Sequence, residues 1–304
     1  QWRPRSRTFV CYGNKDPMAT PNALAVAPYF AAQGAAALLT TLMILGGCAL
    51  TPHRSEVPTW PQALERLLPT EILLLGERHD APQHQDMQRQ TVQWLAQRGL
   101  LAALVMEMAE AGRSTQGLAP QASEAEVQTA LGWSEALWPW QNYGPVAMAA
   151  VRAGVPVLGG NLPRPQLRTA QTDTSLEALL GPAALERQRQ AVRDGHCGLL
   201  PESRVPGMAR IQVARDQSMA QTASAARRTG QVVLLVAGAA HVKRSLGVPA
   251  HLPQSLNIKV AIAHAGKADS AIKSEADWWH ATPALPPDDA CDKLRQRWQD
   301  KPAR

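Results

Sequence analysis

Acidic and histidine side chains recur just after short apolar runs in this 304-residue chain. Glu77 and His79 follow the first run, Glu107 follows the second, and His241 follows the fourth. In an open parallel sheet the carboxyl ends of the strands share one edge, where the loops leave a crevice for ligands. We therefore expect these four side chains to lie close together at that edge.

This strand-end group has two chemical interpretations. Neutral imidazole and carboxylate are ligands for borderline cations, and histidine also exchanges protons near neutral pH. The simpler alternative is a set of hydrogen-bonded structural residues, and the spacing identifies no particular metal. The wider strand-end pocket is expected to include Asp80, Asn161, Arg215 and Asp216. For Arg215 a surface salt bridge is the alternative role.

A second group of residues is aromatic and lies between the second and third apolar runs. It consists of Trp133, Trp138, Trp140 and Tyr143. Flat indole and phenol rings suit a planar macrocycle such as haem, and a tyrosine phenolate is a known type of haem-iron ligand. The alternative is a helical subdomain with an aromatic core. Tyr143 is the only tyrosine after residue 48.

Five short apolar runs predict the strands that carry these residues. They cover residues 72–75, 103–106, 155–158, 232–236 and 258–263, and each is apolar throughout, as strands covered on both faces are. Helical patterns cover residues 83–97, 144–152, 183–193 and 208–228. The alternation predicts an α/β fold with a mostly parallel central sheet flanked by helices, and a helical excursion between strands two and three.

The amino-terminal part of the chain is expected to be an export leader. Residues 35–47 are apolar or small, a run too short to span a bilayer as a helix. Residues 45–48 (LGGC) resemble the lipobox of bacterial lipoproteins, in which Cys48 is lipidated and the leader is removed. The alternative is an apolar helix with an incidental cysteine. Ala49 is not the aspartate that retains many lipoproteins on the inner membrane, so the resemblance favours a lipid anchor in the outer membrane of a Gram-negative bacterium.

The predicted organisation is a leader at residues 1–47, a lipidated Cys48 with a tether to residue 63, and one α/β domain at residues 64–304 with a peripheral carboxyl-terminal tail. The formal charge is +6, and four basic residues against one acidic residue in the leader account for half of it. The other basic residues are scattered, which argues against nucleic acid as a partner. An oxidising compartment permits a disulfide between Cys197 and Cys291, but the sequence leaves their proximity open.

Six ordered segments resemble the ChaN-like haem-binding lipoproteins, a family associated with iron uptake and grouped with the Tiki and erythromycin-esterase proteins. They are ILLLGERHD, WPWQNYGPV, GGNLPR, HCGLLPE, ARDQSMA and AGAAHVKRSLGVPAHL, within about residues 71–252. The resemblance implies a parallel α/β fold, a haem held through a tyrosine ligand, and a homodimer that brings two haems face to face. Tyr143 is the matching ligand, with Trp138, Trp140 and His241 as further haem-binding residues.

One segment departs from the family's pattern. The family usually has Gly-Asn-Gly-His or Gly-Ser-Gly-His where this chain has Gly238-Ala239-Ala240-His241. Alanine lacks the backbone freedom of glycine, so a less flexible loop is expected before His241.

Two functions follow from the resemblance. The leading hypothesis is an outer-membrane lipoprotein that receives haem and passes it on, with an outer-membrane haem receptor as a further partner. The alternative is a metal-dependent esterase or protease, as in the wider superfamily. In that case Glu77, His79, Glu107 and His241 would hold a divalent metal or activate water.

Overall fold

The strands of the chain form one parallel sheet. The computed structural model describes residues 59–267, 270–287 and 289–299. In these residues six strands lie in the order β3-β2-β4-β1-β5-β6, and every neighbouring pair is parallel. The strands are β1 Ile72–Glu77, β2 Leu101–Glu110, β3 Val157–Asn161, β4 Val232–Gly238, β5 Ile258–Ala265 and β6 Trp278–Thr282. The predicted α/β fold with a parallel sheet is confirmed, and all five predicted strands are present.

Helices connect the strands. In the described residues they are α1 Trp60–Leu67, α2 Pro82–Gln97, α3 Glu124–Leu131, α4 Trp140–Arg152, α5 Leu167–Thr172, α6 Pro182–Gly195, α7 Val205–Ala225, α8 Ala239–Val242, α9 Ser270–Glu275 and α10 Ala290–Gln299. Helices α3 and α4 form the helical excursion that was predicted between the second and third strands. None of the described helices is long and apolar enough to cross a membrane.

The sheet is covered on both faces, which explains why its central strands are apolar throughout. All residues of β1 and β4 are buried. Because side chains of a strand alternate between faces, Leu73 and Leu75 pack in the core that contains Leu95 of α2, whereas Leu74 packs in the core that contains Met219 of α7. The two cores hold the strand ends rigidly.

Two features differ from the sequence-based expectation, the start of the first helix and the presence of a sixth strand. Helix α1 begins at Trp60, inside the predicted tether, because the Trp60 indole is buried and its Nε1 donates to Thr91 Oγ1 at 2.9 Å. Strand β6 was not predicted. It is an edge strand whose Trp279 is 39% exposed, so it lacks the continuous apolar run that marked the other strands.

The question of the two cysteines is settled by the structure. Cys197, in the turn after α6, forms a disulfide with Cys291 of α10. The carboxyl-terminal helix is thereby fastened to a segment 94 residues earlier in the chain. The predicted leader, Cys48 and most of the tether lie outside the described residues.

Candidate functional site

Two buried glutamates define the carboxyl edge of the sheet. Glu77 ends β1 and Glu107 lies on β2, and the strand between them, β4, ends at Gly238, which is in register with Glu77. The glutamates are only 2% and 4% exposed. A buried carboxylate requires hydrogen-bond partners or opposite charge, and both glutamates have them.

Glu77, Tyr143, His79 and Gln85 form a connected hydrogen-bond group. The Tyr143 hydroxyl donates to Glu77 Oε1 at 2.7 Å, and His79 Nδ1 lies 2.8 Å from the same oxygen. His79 Nδ1 is also 3.1 Å from the Tyr143 hydroxyl, and Gln85 Nε2 donates to Glu77 Oε2 at 2.5 Å. The strand-end pair and the predicted haem ligand therefore belong to one site.

Aromatic rings cover this group. The Trp138 ring packs edge-on against His79 at 4.9 Å between centroids and against Tyr143 at 5.8 Å. Trp133 also contacts the Tyr143 ring, at 6.3 Å. Tyr143 is consequently only 1% exposed, whereas the His79 side chain is 40% exposed. His79 is the part of the group that faces solvent.

A second hydrogen-bond group adjoins the first through Glu107. His241 Nδ1 lies 2.6 Å from Asp216 Oδ1 of α7, and His241 Nε2 lies 3.4 Å from Glu107 Oε1. Glu107 Oε2 accepts from the Gly238 backbone N–H at 2.8 Å and is 3.8 Å from His79 Nε2. The four strand-end residues thus lie together, as predicted from their positions after the apolar runs.

The electrostatics of the two groups follow from burial and from opposite charges. Burial alone would lower the pKa of His241, but Glu107 and Asp216 on its two sides raise that pKa well above the ordinary value. Burial disfavours the Glu107 carboxylate, but the charge and hydrogen bond of His241, the charge of His79 and the Gly238 N–H together outweigh burial and lower the pKa of Glu107 to about 2. Burial raises the pKa of Asp216 to about 6. His241 is therefore a buried cation between two carboxyl groups.

The phenol and the exposed histidine have shifted pKa values as well. Burial, reinforced by the negative charge of Glu77, raises the pKa of Tyr143. For His79, burial opposes the charged form, but the hydrogen bond to Glu77 and the charge of Glu107 raise the pKa overall. In this arrangement Tyr143 is a neutral phenol that donates a hydrogen bond to the Glu77 carboxylate.

Four other predicted site residues lie further from these contacts. Asn161 Nδ2 donates to the Glu107 backbone oxygen at 2.9 Å, so this residue supports the edge. Asp80 is exposed and paired with Arg78. Trp140 Nε1 donates to Glu124 at 2.8 Å and its ring packs on Trp133 rather than on the phenol. Arg215, predicted for the strand-end pocket with a surface salt bridge as its alternative role, has a buried Nε without a hydrogen-bond partner among the described residues.

The segment before His241 accommodates alanine for a simple reason. Ala239 and Ala240 begin the short helix α8, and neither they nor Gly238 has a positive φ. Position 238 favours glycine for a steric reason rather than a conformational one, because a Cβ there would lie 2.8 Å from His79 Nε2. With alanine at both positions, His241 lies within contact of Asp216 and Glu107.

The metal-dependent alternative receives no geometric support. Within the described residues, no group of three or more histidine, cysteine or acidic side chains is placed to hold a metal ion. In this structure the Glu77 oxygens accept hydrogen bonds from Tyr143 and Gln85, and one Glu107 oxygen accepts from the Gly238 N–H. The hydrolase hypothesis therefore stays a prediction.

Sequence reasoning missed two residues at the start of α2. Gln85 was not singled out, although it donates a hydrogen bond to one Glu77 oxygen. His84, 1% exposed, accepts from the Arg78 N–H through Nδ1 at 2.9 Å, and its Nε2 lies 3.0 Å from Thr282 Oγ1 of β6. Their position directly after the loop 78–81 was the available signal. His84 holds that loop, and with it His79, against the edge strand.

His84 is expected to make the fold sensitive to mild acid. Burial, with a contribution from the Arg78 charge, lowers its pKa to about 4. The folded state therefore binds the proton less well than the unfolded state, whose histidine pKa is about 6.5, and stability is lost as the pH falls from about 6.5 towards 4. The maximal loss from this residue is about 3 kcal/mol. Urea unfolding of His84→Asn across this pH range should show a shallower acid dependence than the parent; an identical dependence would refute this role.

The fold and the site define a parallel α/β domain with phenol, imidazole and carboxylate groups clustered at the carboxyl edge of its sheet. The family model described as haem-binding uptake, Tiki superfamily, ChaN matches residues 63–252, and the chain belongs to this family. The resemblance inferred from the six segments is thereby confirmed.

One similar solved structure is described as "Cofacial heme binding to ChaN of Campylobacter jejuni". It shares 23% sequence identity and a TM-score of 0.59, over 70% of this chain and 88% of that chain. At this level of identity the likeness concerns the fold. No curated protein sequence matches the chain.

Proposed function

We propose that this chain binds haem at the carboxyl edge of its sheet and serves haem or iron uptake. The observation that carries the proposal is the Tyr143–Glu77–His79 group beneath Trp138. It combines the oxygen and nitrogen donors that bind haem iron with an aromatic surface. Leu137, beside Trp138, is 54% exposed and extends the apolar surface that a porphyrin requires.

The identity of the residue that ligates the haem iron is a separate part of the proposal. The family resemblance assigns this role to Tyr143, and we retain it, with Trp138 and His241 as residues of the pocket. The phenol lies beneath Trp138 and His79, so iron reaches its oxygen only after one of these side chains moves. His79 is already exposed and is therefore the competing ligand. The donor types fit haem, and a comparison of variants at Tyr143 and His79 decides between them.

Binding itself is tested by titrating the purified chain with ferric haem and recording the absorption spectrum. The proposal expects a saturable Soret band at a fixed ratio of haem to protein. Stoichiometric zinc or manganese in the untreated protein, without any saturable band, would overturn it in favour of the hydrolase.

We further propose that the chain forms a homodimer when haem is bound. The similar Campylobacter jejuni structure is described as showing cofacial haem binding, and an exposed Leu137 next to the site provides apolar surface for a second copy. Sedimentation velocity should show a larger species when haem is added. A monomer at all haem concentrations would contradict this part of the proposal.

For localisation we propose an outer-membrane lipoprotein of a Gram-negative bacterium, anchored through Cys48, with an outer-membrane haem receptor as partner. The Cys197–Cys291 disulfide supports an exported protein, because such bonds persist in oxidising compartments. The membrane attachment itself is carried by the sequence LGGC at residues 45–48.

Cys48→Ser should move the protein from the membrane fraction to the soluble fraction. The substitution removes the sulfur that would carry the lipid, and no described helix is able to hold the chain in a bilayer. Fractionation of cells expressing the parent and the variant measures the effect, with Cys11→Ser, a cysteine of the predicted leader, as the matched control. Retention of Cys48→Ser in the membrane after a high-salt wash would refute the anchor.

A further inference from the structure

A cavity of about 430 Å³ lies toward the opposite edge of the sheet from the haem site proposed above. It is bounded by the amino-terminal parts of β2 and β3, the loop 112–116 and the carboxyl-terminal end of α7. The cavity exists because β2 begins before β3 does. The first residue of β3, Val157, pairs with Leu104, so residues 101–103 of β2 extend past the amino-terminal end of β3. Its volume is in the range of small-molecule sites.

The floor and the rim of this cavity differ in chemistry. Small or apolar residues form the floor, including the buried Ala102 and Ala103 and the half-buried Leu158, and the exposed Ala225 of α7 lies beside this floor. Three arginines, Arg113, Arg227 and Arg228, stand at the rim, and none of the lining residues is acidic. A floor of this kind favours a hydrocarbon body, whereas the rim favours a negative charge.

Only one of the three arginines is neutralised within the part of the chain that the structure describes. Arg227 Nη1 pairs with Glu71 at 2.7 Å, and its Nε donates to the Ser224 backbone oxygen at 3.1 Å, which also satisfies the end of α7. Arg113 and Arg228 make no side-chain hydrogen bond or ion pair with the described residues. The rim therefore presents two free guanidinium groups, whose planar donor arrangement matches carboxylate and phosphate oxygens.

We propose that this cavity binds an amphipathic anion, an apolar molecule with a carboxylate or phosphate head. The hydrocarbon part lies on the alanine floor and the head pairs with Arg113 and Arg228. The lining residues of this cavity differ from those of the proposed haem site, so the proposal does not rest on haem binding.

Calorimetric titration of the purified chain with decanoate and with decyl phosphate, below their micelle concentrations, tests the proposal. Saturable 1:1 binding is expected for at least one probe, and the tighter probe identifies the preferred head group. Arg228→Gln and Arg113→Gln should each weaken it about tenfold, the effect of one charge-assisted hydrogen bond. Arg98→Gln is the matched control, because Arg98 is exposed, stacks on Trp94 at 3.9 Å and does not line the cavity.

A second variant tests the floor independently of the charges. Ala225→Leu adds volume at an exposed helical position that tolerates leucine, so the fold should be retained while binding is lost. Urea unfolding verifies the fold. Absence of saturable binding, equal binding of uncharged decanol, or affinities unaffected by both Arg228→Gln and Ala225→Leu would each overturn the proposal.

Discussion

Tyr143→Phe is expected to weaken ferric haem binding by at least about tenfold and to change the absorption spectrum of the complex. Removing a partner that merely orients a metal ligand costs about 10- to 100-fold in affinity, so removing the ligand itself should cost no less. The fold should survive, because the ring keeps its packing against Trp138 and only the contacts of the hydroxyl are lost, with Glu77 Oε1 at 2.7 Å and the weaker one with His79 Nδ1 at 3.1 Å. That loss is about 1 kcal/mol.

Two comparison variants make the result specific. His79→Gln removes the exposed imidazole and tests the competing ligand. Trp140→Phe changes another aromatic residue of α4, the helix of Tyr143; the Trp140 indole donates its hydrogen bond to Glu124 and not to Tyr143, Glu77 or His79. If Tyr143 ligates the iron, Trp140→Phe binds haem as the parent does. An unchanged spectrum for Tyr143→Phe together with a lost Soret band for His79→Gln would move the ligand to His79.

The strand ends were predictable because parallel strands align their carboxyl ends. Three of the five apolar runs, the first, second and fourth, located Glu77, His79, Glu107 and His241 at one edge without any knowledge of the connections between strands. The partners of these residues were not predictable. Whether Asp216 or Arg215 faces His241 depends on the rotation of α7 against the sheet, and neighbouring positions of a helix point about 100° apart.

The accessibility of Tyr143 was equally beyond the sequence. The aromatic residues between β2 and β3 suited both a haem pocket and an aromatic core, and in the structure their rings lie in the apolar core or pack against it. Trp138 covers the phenol, which belongs to the apolar core, while Leu137 remains exposed beside it. Strand β6 escaped prediction for a related reason, since an edge strand buries one face only and needs no continuous apolar run.

Asp216→Ala is expected to lower the free energy of unfolding by about 3 kcal/mol at pH 7.5. Asp216 is 2% exposed and lies 2.6 Å from His241 Nδ1, on the side opposite Glu107. Breaking a buried ion pair by removing one partner costs about 3–5 kcal/mol, because a buried charge remains. Here Glu107 still compensates the imidazolium, so the loss should fall at the lower end of that range.

Urea unfolding of three variants separates this charge effect from simple loss of packing. Asp216→Asn keeps the shape and an oxygen acceptor for His241 Nδ1, so its loss should be about half that of Asp216→Ala. Gln221→Ala, at an exposed position of the same helix α7, should unfold within about 0.5 kcal/mol of the parent, because surface substitutions of this kind change stability little. If Asp216→Ala unfolds at the same urea concentration as Gln221→Ala, the Asp216–His241 pair does not stabilise the fold, and the buried imidazolium between Asp216 and Glu107 is refuted.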